Sequence, residues 1–258
     1  MPLENPLKTA LGRGEKQLGL WLTLGSPLAA ELAAGAGFDW VLIDMEHSVL
    51  NEAQVLDHVR AAHVGGRAEP IVRIPWNEPI VFKRLLDSGV RSFLVPYVQN
   101  AEEARRAVAA TRYPPDGIRG FSGMHRGNAF GRNKNYPQEA AAEIFLAVQV
   151  ESPQAADNAG AIAAVDGVDC VFVGPNDLAA NMGFVGRTQP PEVRDMIQSV
   201  VAPVRAAGKT PGMLDFNVEN ARGWLESGFG FVAVGSDLSL LASGVDRLLD
   251  GHGRQAPA

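Results

Sequence analysis

The 258-residue sequence has a single cysteine, five lysines and no long hydrophobic run, and each shortage excludes a class of protein. One cysteine, Cys170, rules out an internal disulfide, and its apolar neighbours predict a buried side chain rather than a nucleophile. No apolar stretch approaches the ~20 residues that span a bilayer, and the N-terminus lacks the apolar core of a signal peptide. The formal charge of −6 disfavours a nucleic-acid surface, which needs clustered Lys and Arg. We therefore expect a cytoplasmic protein with no membrane or nucleic-acid partner.

Short β-rich runs alternate with longer helix-like stretches along the whole chain. The predicted strands are residues 17–24, 39–46, 70–75, 92–98, 144–151, 169–177, 209–214 and 231–237. The predicted helices between them are residues 27–37, 51–63, 77–89, 100–112, 153–165, 190–208 and 217–228. Apolar strands joined by helices favour a parallel sheet covered on both faces, and eight such units favour closure. The sequence therefore predicts one α/β domain over residues 1–258, a (β/α)8 TIM barrel, which typically has ~250 residues.

One long irregular segment, residues 113–140, interrupts the alternation after the fourth strand and its helix. Loops of this length in compact domains are usually functional. We expect this segment to reach over the barrel mouth as a lid.

Two carboxylates follow neighbouring predicted strands, at the end of the barrel where active sites lie. Glu151 ends strand 5, and Asp177 ends strand 6. Such a pair suits a divalent metal, namely Mg2+, Mn2+ or Co2+, which takes further oxygen ligands from water and substrate. The alternative for Asp177 is a helix N-cap, because LAANMG follows it.

His47, after the second strand, is the candidate general base. A neutral imidazole titrates near physiological pH and can accept a proton from a carbon acid, and Asp44 or Asp87 could orient its ring. The alternative is a histidine held by a backbone carbonyl. That second interpretation applies to His58, His63, His125 and His252. Of these, His125 lies in the long loop and could touch substrate.

Arg73 lies within an apolar predicted strand, where its charge needs a partner. One interpretation is a structural ion pair with Glu46 or Glu151. The other is that Arg73 binds a 2-oxo group and stabilises the enolate formed from it.

The lysines provide a negative test for imine chemistry, which needs a lysine at the carboxyl end of a strand. Lys16 and Lys209 precede strands 1 and 7, Lys83 lies mid-helix and Lys134 lies in the long loop. A Schiff-base route is therefore disfavoured, which leaves a metal to provide the electrophile.

Five segments together resemble the HpcH/HpaI aldolase family of class II pyruvate aldolases. They are IDMEH (43–47), TRYPPDGIRG (111–120), VQVES (148–152), VFVGPNDLAANMG (171–183) and FVAVGSD (231–237). The resemblance implies an enzyme that adds the enolate of pyruvate, or of hydroxypyruvate, to an aldehyde. The reverse reaction cleaves 4-hydroxy-2-oxo acids.

The resemblance also implies catalytic roles for individual residues. His47 would accept the proton, and Asp87, or Asp44, would raise its basicity. Arg73 would stabilise the transition state and bind the keto oxygen.

Glu151 and Asp177 would hold the metal, as the resemblance implies. The backbone near Asp177 would receive the substrate carboxylate at a helix N-terminus. The full set of expected substrate contacts is Trp21, Arg73, Gln149, Gly174, Pro175, Asn176, Asp177 and Leu214. Family members form hexamers, which implies a homo-oligomer (a trimer or hexamer) with an exchanged C-terminal helix.

Two positions depart from the family pattern: Asn176 stands where alanine is common, and Met45 stands where glycine is common. Residues 121–132 also differ from the usual loop. We expect these positions to line the acceptor side of the pocket, so the natural aldehyde stays open. Other functions stay open too: a CoA-ester lyase of the citrate lyase β type, or a non-catalytic barrel that binds oxo acids. Residues 235–237 (Gly-Ser-Asp) could bind phosphate or simply begin the last helix.

Overall fold

A computed structural model describes residues 4–254 as a closed barrel of parallel strands. The strands are β1 Gln17–Leu22, β2 Trp40–Asp44, β3 Glu69–Arg73, β4 Ser92–Val95, β5 Phe145–Val150, β6 Cys170–Val173, β7 Thr210–Leu214 and β8 Phe231–Ser236. Each strand pairs in parallel with the next, and β8 closes the ring on β1, where Phe231 lies opposite Gln17. The predicted (β/α)8 barrel is confirmed, and each predicted strand overlaps an observed one.

One helix precedes β1, and the other helices follow the strands around the outside of the barrel. They are α1 Pro6–Gly12, α2 Pro27–Gly35, α3 Glu52–Gly65, α4 Pro79–Asp87, α5 Ala101–Thr111, α6 Tyr136–Glu139, α7 Pro153–Asp157, α8 Ala159–Ala163, α9 Pro175–Asn181, α10 Pro191–Ser199, α11 Val201–Ala206, α12 Val218–Glu226 and α13 Asp237–Asp250. Single 3-10 turns cover Arg126–Asn128 and Ala140–Glu143. Among residues 4–254, no helix is both long and apolar enough to cross a membrane.

Two local predictions differ from the structure because of proline. The predicted helix 190–208 is divided into α10 and α11, since Pro203 has no N–H to continue the hydrogen-bond ladder. The predicted strand 169–177 ends at Val173, and Pro175 occupies the first turn of α9, a position that proline favours. Asp177 therefore belongs to a helix and not to a strand.

Aromatic side chains fill the interior of the barrel. Trp40 stacks on Phe231 with ring centroids 4.1 Å apart, and both side chains are fully buried. Gly19 makes room for this stack, because a Cβ atom there would lie 2.1 Å from the Trp40 ring. The interior is thus a packed core, as in other barrels of this type, and not a channel.

Helix α1 covers the amino end of the barrel. Its Leu7 and Leu11 side chains join the interior cluster of buried apolar residues. Asn5, the N-cap of α1, donates from Nδ2 to Ser92 Oγ at 2.9 Å, at the first residue of β4. The amino end is closed by these contacts, so a polar site belongs at the carboxyl end.

The segment between α5 and β5, residues 112–144, lies at this same amino end. Arg126 donates to the Ser88 carbonyl at 2.8 Å, just after α4 ends, and Glu143 accepts from the Asn5 N–H at 2.7 Å. The predicted lid is therefore wrong for a single chain. Each helix returns the chain to the amino end, so a segment that follows a helix begins opposite the carboxyl rim.

The Trp40–Phe231 stack provides a test of the core. We expect Gly19→Ala to destabilise the protein by about 3 kcal/mol, because the new methyl group has no space and overpacked cores are strained. Gly223→Ala is the matched control, since Gly223 lies in α12 with nothing near its Cβ position. It should stabilise by about 0.5–1 kcal/mol. Urea unfolding of both variants makes the comparison, and equal effects would contradict this packing.

Candidate active site

The carboxyl ends of neighbouring strands bring most of the predicted polar residues to one rim. Asp44 is the last residue of β2, Arg73 is the last residue of β3, and Glu151 directly follows β5. Asp177 lies in the first turn of α9, directly after β6. The closure of the barrel thus places residues far apart in the chain around one opening.

Arg73 is held by a buried ion pair with Asp44. Its Nε and Nη2 atoms donate to the two Asp44 carboxylate oxygens at 2.9 and 2.6 Å. The Trp21 indole N–H donates to the same carboxylate at 3.3 Å, and the guanidinium lies 5.0 Å from the Trp21 ring centroid. Nη1 lies 2.9 Å from Glu46 Oε2 without the alignment of a hydrogen bond, so that buried oxygen can accept from another donor. The ion pair expected with Glu46 is present, and Asp44 is the stronger partner.

Asp44 is charged because Arg73 is beside it. Burial by itself would raise the pKa of Asp44, but the hydrogen bonds and charge of Arg73 hold it below the usual value. The backbone N–H groups of Glu46 and His47 also donate to Asp44 Oδ1, at 3.0 and 3.3 Å, and they fix the turn after β2. Asp44 therefore orients Arg73 and this turn, and not the His47 ring.

The His47 side chain is exposed at the rim, and no residue among 4–254 makes a hydrogen bond with its ring. This placement leaves the imidazole free to meet a substrate. His58 differs, since its Nδ1 lies 2.8 Å from the Gln54 carbonyl and the ring is buried, as the structural interpretation predicted.

Glu151 is a buried carboxylate with a defined position. Its Oε2 accepts from the Tyr97 N–H at 2.9 Å, and its Oε1 accepts from Gln149 Nε2 at 2.8 Å. Gly174 leaves the space for it, because a Cβ atom there would lie 2.4 Å from Oε1. Burial, together with the negative charges of Glu46 and Asp177, raises the pKa of Glu151 to about 8.

Asp177 does not cap its helix. The N-cap of α9 is Gly174, and no side chain there makes a capping hydrogen bond. The Asp177 side chain is exposed. Asn181 holds this turn to β5 by donating to the Asp177 and Glu151 backbone carbonyls at 3.0 and 2.9 Å. The N-cap alternative is therefore wrong, and the Asp177 carboxylate is available at the rim.

Three carboxylates, those of Glu46, Glu151 and Asp177, come together here: the charges of Glu46 and Asp177 add to burial in raising the pKa of Glu151, and Asp177 also contributes to a raised pKa of Glu46. Arg73 lies near them, but its charge is already matched by Asp44. Within residues 4–254, no three His, Cys, Asp or Glu side chains are arranged as a complete metal site. Glu151 and Asp177 provide two carboxylates, which is the number that Mg2+ commonly takes from protein while it keeps several waters.

Gln149 adds an oxygen to this negative region. Its side chain is buried, and its Oε1 has no hydrogen-bond partner among the described residues. A buried acceptor without a donor is costly, so the atom suits a bound water, hydroxyl or cation.

The remaining expected substrate contacts lie around the same rim. Trp21 and Leu214 pack against the barrel interior, and Pro175 is buried at the start of α9. Asn176 is exposed beside Asp177. Met45 departs from its expected role, because its side chain lies in the core between the strands and the helices.

Asp87 is not part of this site within one chain. It ends α4, near the amino end of the barrel, where Arg119 donates to its Oδ1 at 2.8 Å. His125 Nε2 lies 3.7 Å from the same oxygen, and His125 Nδ1 accepts from the Asn128 N–H. The predicted contact between Asp87 and His47 is thus wrong inside a single chain, and so is contact of His125 with substrate there. Helix direction is the reason, since α4 carries its last residue away from the rim.

The Gly-Ser-Asp segment begins a helix, one of the two expected alternatives. Ser236 caps α13 by accepting from the Ser239 N–H at 3.0 Å. The Asp237 carboxylate accepts from the backbone N–H groups of Thr23 and Leu24 at 2.8 and 3.2 Å. These groups are used within the chain, which removes the basis for a phosphate site.

Sequence reasoning missed Tyr97 and Asn181, which support the site from outside it. Each acts through hydrogen bonds between the backbone and a side chain: the Tyr97 N–H donates to the Glu151 carboxylate, and the Asn181 side-chain amide donates to the backbone carbonyls of Glu151 and Asp177. Asn181 falls inside the segment VFVGPNDLAANMG, a signal that could have found it. Tyr97 has no such signal, since any residue except proline carries an N–H.

The carboxyl rim of this barrel, where the active sites of such barrels lie, joins an Arg–Asp pair to converging carboxylates, which is the architecture of an enzyme active site. The sequence profile described as HpcH/HpaI aldolase/citrate lyase matches residues 17–244. The chain belongs to the HpcH/HpaI aldolase family. It is an aldolase, that is, a carbon–carbon lyase, and the resemblance identified from its motifs is confirmed.

Individual relatives cover almost the whole chain. The 4-hydroxy-2-oxo-heptane-1,7-dioate aldolase of Salmonella heidelberg (strain SL476) is 48% identical over 247 residues, 95% of this chain and 94% of that protein. The protein of the same name from Shigella sonnei (strain Ss046) is 48% identical over 257 residues, 99% of this chain and 98% of that protein. A crystal structure of an HpcH/HpaI aldolase/citrate lyase family protein from Burkholderia cenocepacia J2315 matches with a TM-score of 0.93 and 40% identity, covering 96% and 98% of the two chains.

The Asp44–Arg73 pair leads to a prediction about stability and pH. We expect Asp44→Asn to destabilise the protein by about 3–5 kcal/mol at pH 7, because it leaves a buried guanidinium without its main partner. The folded pKa of Asp44 is lowered, so its contribution is present above the unfolded pKa of about 3.9 and is lost as the pH falls through the folded value. Urea unfolding from pH 7 to pH 3 should show the difference shrinking in acid.

Asp57→Asn is the control, since Asp57 forms an exposed ion pair with Arg60. Its effect should stay within about 0.5 kcal/mol at every pH. A loss at position 44 no larger than that at position 57 would contradict a structural role for the buried pair.

Proposed function

We propose that this aldolase adds the enolate of pyruvate, or of hydroxypyruvate, to an aldehyde, and cleaves 4-hydroxy-2-oxo acids in the reverse direction. The Salmonella and Shigella relatives carry the name of an aldolase for one such acid, at 48% identity over nearly the full chain. The observation that carries the proposal is the convergence of Glu46, Glu151 and Asp177 beside Arg73. This arrangement suits a cation and an anionic oxo acid together.

We propose further that Glu151 and Asp177 hold a divalent metal, Mg2+, Mn2+ or Co2+. The fit rests on the excess of negative charge at the rim and on the orphaned, buried Gln149 Oε1. A bound metal would act as a Lewis acid on the 2-oxo group and so make the adjacent carbon acidic. Hard cations with oxygen ligands match this set of donors.

The protein's own residues supply the remaining roles. Arg73 Nη1 makes neither of the two hydrogen bonds to Asp44, and it pairs with Glu46 Oε2 at 2.9 Å without hydrogen-bond alignment, so its N–H groups can donate to a substrate oxygen. Asp44 keeps the guanidinium in place while charge develops on that oxygen, which is how preorganised donors lower a barrier. The exposed His47 ring removes the C3 proton and later returns it.

The positions of the lysines support this route over an imine. Lys8 binds the Ile144 carbonyl at 2.7 Å and Asp169 at 3.3 Å, at the amino end of the barrel. Lys16 and Lys209 precede β1 and β7, and Lys83 lies within α4. A lysine that forms a Schiff base must reach the carbonyl carbon, and these side chains begin away from the rim.

Metal dependence is the test of this proposal. We expect EDTA to abolish cleavage of a 4-hydroxy-2-oxo acid and Mn2+ or Mg2+ to restore it. Borohydride with substrate should leave the activity intact. Activity that persists in chelator, or inactivation by borohydride, would reject the metal route.

Gly174→Ala tests the same site by direct binding. Its methyl group would displace the Glu151 carboxylate, so Mn2+ affinity measured by electron paramagnetic resonance should fall about 10–100-fold. Gly235→Ala is the matched control on β8, since its Cβ would meet only Leu20 at an ordinary 3.4 Å. Equal affinities in the two variants would show that Glu151 does not bind the ion.

We also propose that the enzyme is a homo-oligomer, a trimer or hexamer. The last helix, α13, exposes a row of apolar side chains in the single chain: Leu238, Leu240, Leu241, Val245 and Leu248. The predicted partnership of Asp87 with His47 is possible only between two copies, because one chain holds these residues at opposite ends of the barrel.

Co-expression of two inactive variants tests that partnership. His47→Ala and Asp87→Ala subunits, mixed equally, should form hybrids with about one quarter of wild-type activity, since each complete site needs one intact residue from each copy. A mixture of His47→Ala with His47→Gln serves as the control and should stay inactive. Hybrids without recovered activity would show that His47 and Asp87 of different copies do not form one site.

A further inference from the structure

Tyr97, just after β4, has an unusual backbone conformation. Its φ is 54°, in the left-handed region that non-glycine residues rarely adopt. Among residues 4–254, the other non-glycine residues with positive φ are Ala129 and Phe130, both in the segment between α5 and β5. A strained residue persists only where its surroundings determine it, and such residues occur often at functional sites.

The left-handed residue coincides with an irregularity in the pairing of β4 with β5: the segment that follows β4 contains one residue more than the regular pairing requires. Val95 lies opposite Val148, a register that would bring the Tyr97 N–H to the Gln149 carbonyl. Instead, the Val98 N–H donates to that carbonyl at 2.9 Å. The irregularity is a bulge, which leaves the Tyr97 N–H outside the ladder.

That released N–H has a specific acceptor. It donates to Glu151 Oε2 at 2.9 Å, while Gln149 Nε2 donates to Oε1 at 2.8 Å. Both oxygens of the carboxylate are therefore oriented by donors, and Gly174 bounds the group on a third side. Mutation of groups that orient a metal-binding side chain in this way typically lowers metal affinity about 10–100-fold.

The Tyr97 ring supports the turn from outside. It stacks on the Trp76 ring, which follows β3, with centroids 6.0 Å apart and planes 24° apart. Both rings stay partly exposed, so the contact is not part of the core.

We propose that Tyr97 is a positioning residue: its left-handed backbone, supported by Trp76, holds an N–H against Glu151 and so sets the orientation of that carboxylate for a divalent metal. The proposal deepens the proposed metal site and rests on it. The backbone conformation carries the role, and the ring stabilises that conformation.

Two substitutions with opposite backbone preferences test the proposal. Tyr97→Val introduces a β-branched residue that resists positive φ, so Mn2+ affinity should fall about 10–100-fold. Tyr97→Asn keeps an N–H and tolerates the left-handed region, so affinity should stay within about threefold of wild type. Equal affinity in the valine variant and the wild type would overturn the proposal, and so would an equal loss in both variants.

Phe130→Val is the matched control for strain alone. Phe130 is also aromatic, with a φ of 57°, but it lies at the other end of the barrel. This variant should be destabilised to a similar degree in thermal unfolding and should bind Mn2+ as the wild type does. An equal loss of Mn2+ affinity at position 130 would show a general effect of destabilisation and would overturn the proposal.

A measurement without metal separates this proposal from the metal site itself. In the chelated protein, the Tyr97 N–H should exchange with deuterium slowly, and Glu151→Ala should accelerate its exchange at least tenfold. Unchanged exchange would overturn the positioning role. If the wild-type protein bound no Mn2+ while Glu151→Ala still accelerated this exchange, the positioning role would be supported and the proposed metal rejected.

Discussion

The burial of the Glu151 carboxylate beside two other acidic side chains is the constraint that shapes this site. Glu151 is nearly inaccessible to water, and Glu46 and Asp177 add negative charge around it, which raises its pKa to about 8. Such a group is costly unless hydrogen bonds or an opposite charge stabilise it. The fold supplies two N–H donors to Glu151, and a bound cation would supply the opposite charge.

Asp44 is also a buried carboxylate, but here the positive charge of Arg73 stabilises its ionised form. Burial also disfavours the charge on Asp44, but the guanidinium holds its pKa below the usual value. Two carboxylates on one rim thus have pKa values moved in opposite directions by their surroundings. That contrast is typical of catalytic sites, where one acid is committed to structure and another is kept ready for a ligand.

The part of the candidate site that lies at the ends of the strands could be predicted from the sequence. Asp44, Arg73, Glu151 and Asp177 each come near the end of an apolar run, and parallel strands bring their ends to one rim. The position of Asp87 could not be predicted in this way, because Asp87 ends a helix and not a strand. Its role came from a resemblance, and only the direction of α4 shows that one chain holds it away from His47.

The sequence by itself determined the barrel, the rim and the class of chemistry, because apolar periodicity and residue type are local properties that the chain carries. Tertiary structure alone decided which groups meet. The bulge that frees the Tyr97 N–H, the space that Gly174 leaves for Glu151 and the amino-end position of residues 112–144 all depend on contacts between distant segments. Such contacts depend on how side chains and backbone groups distant in the sequence pack together, which no local pattern encodes.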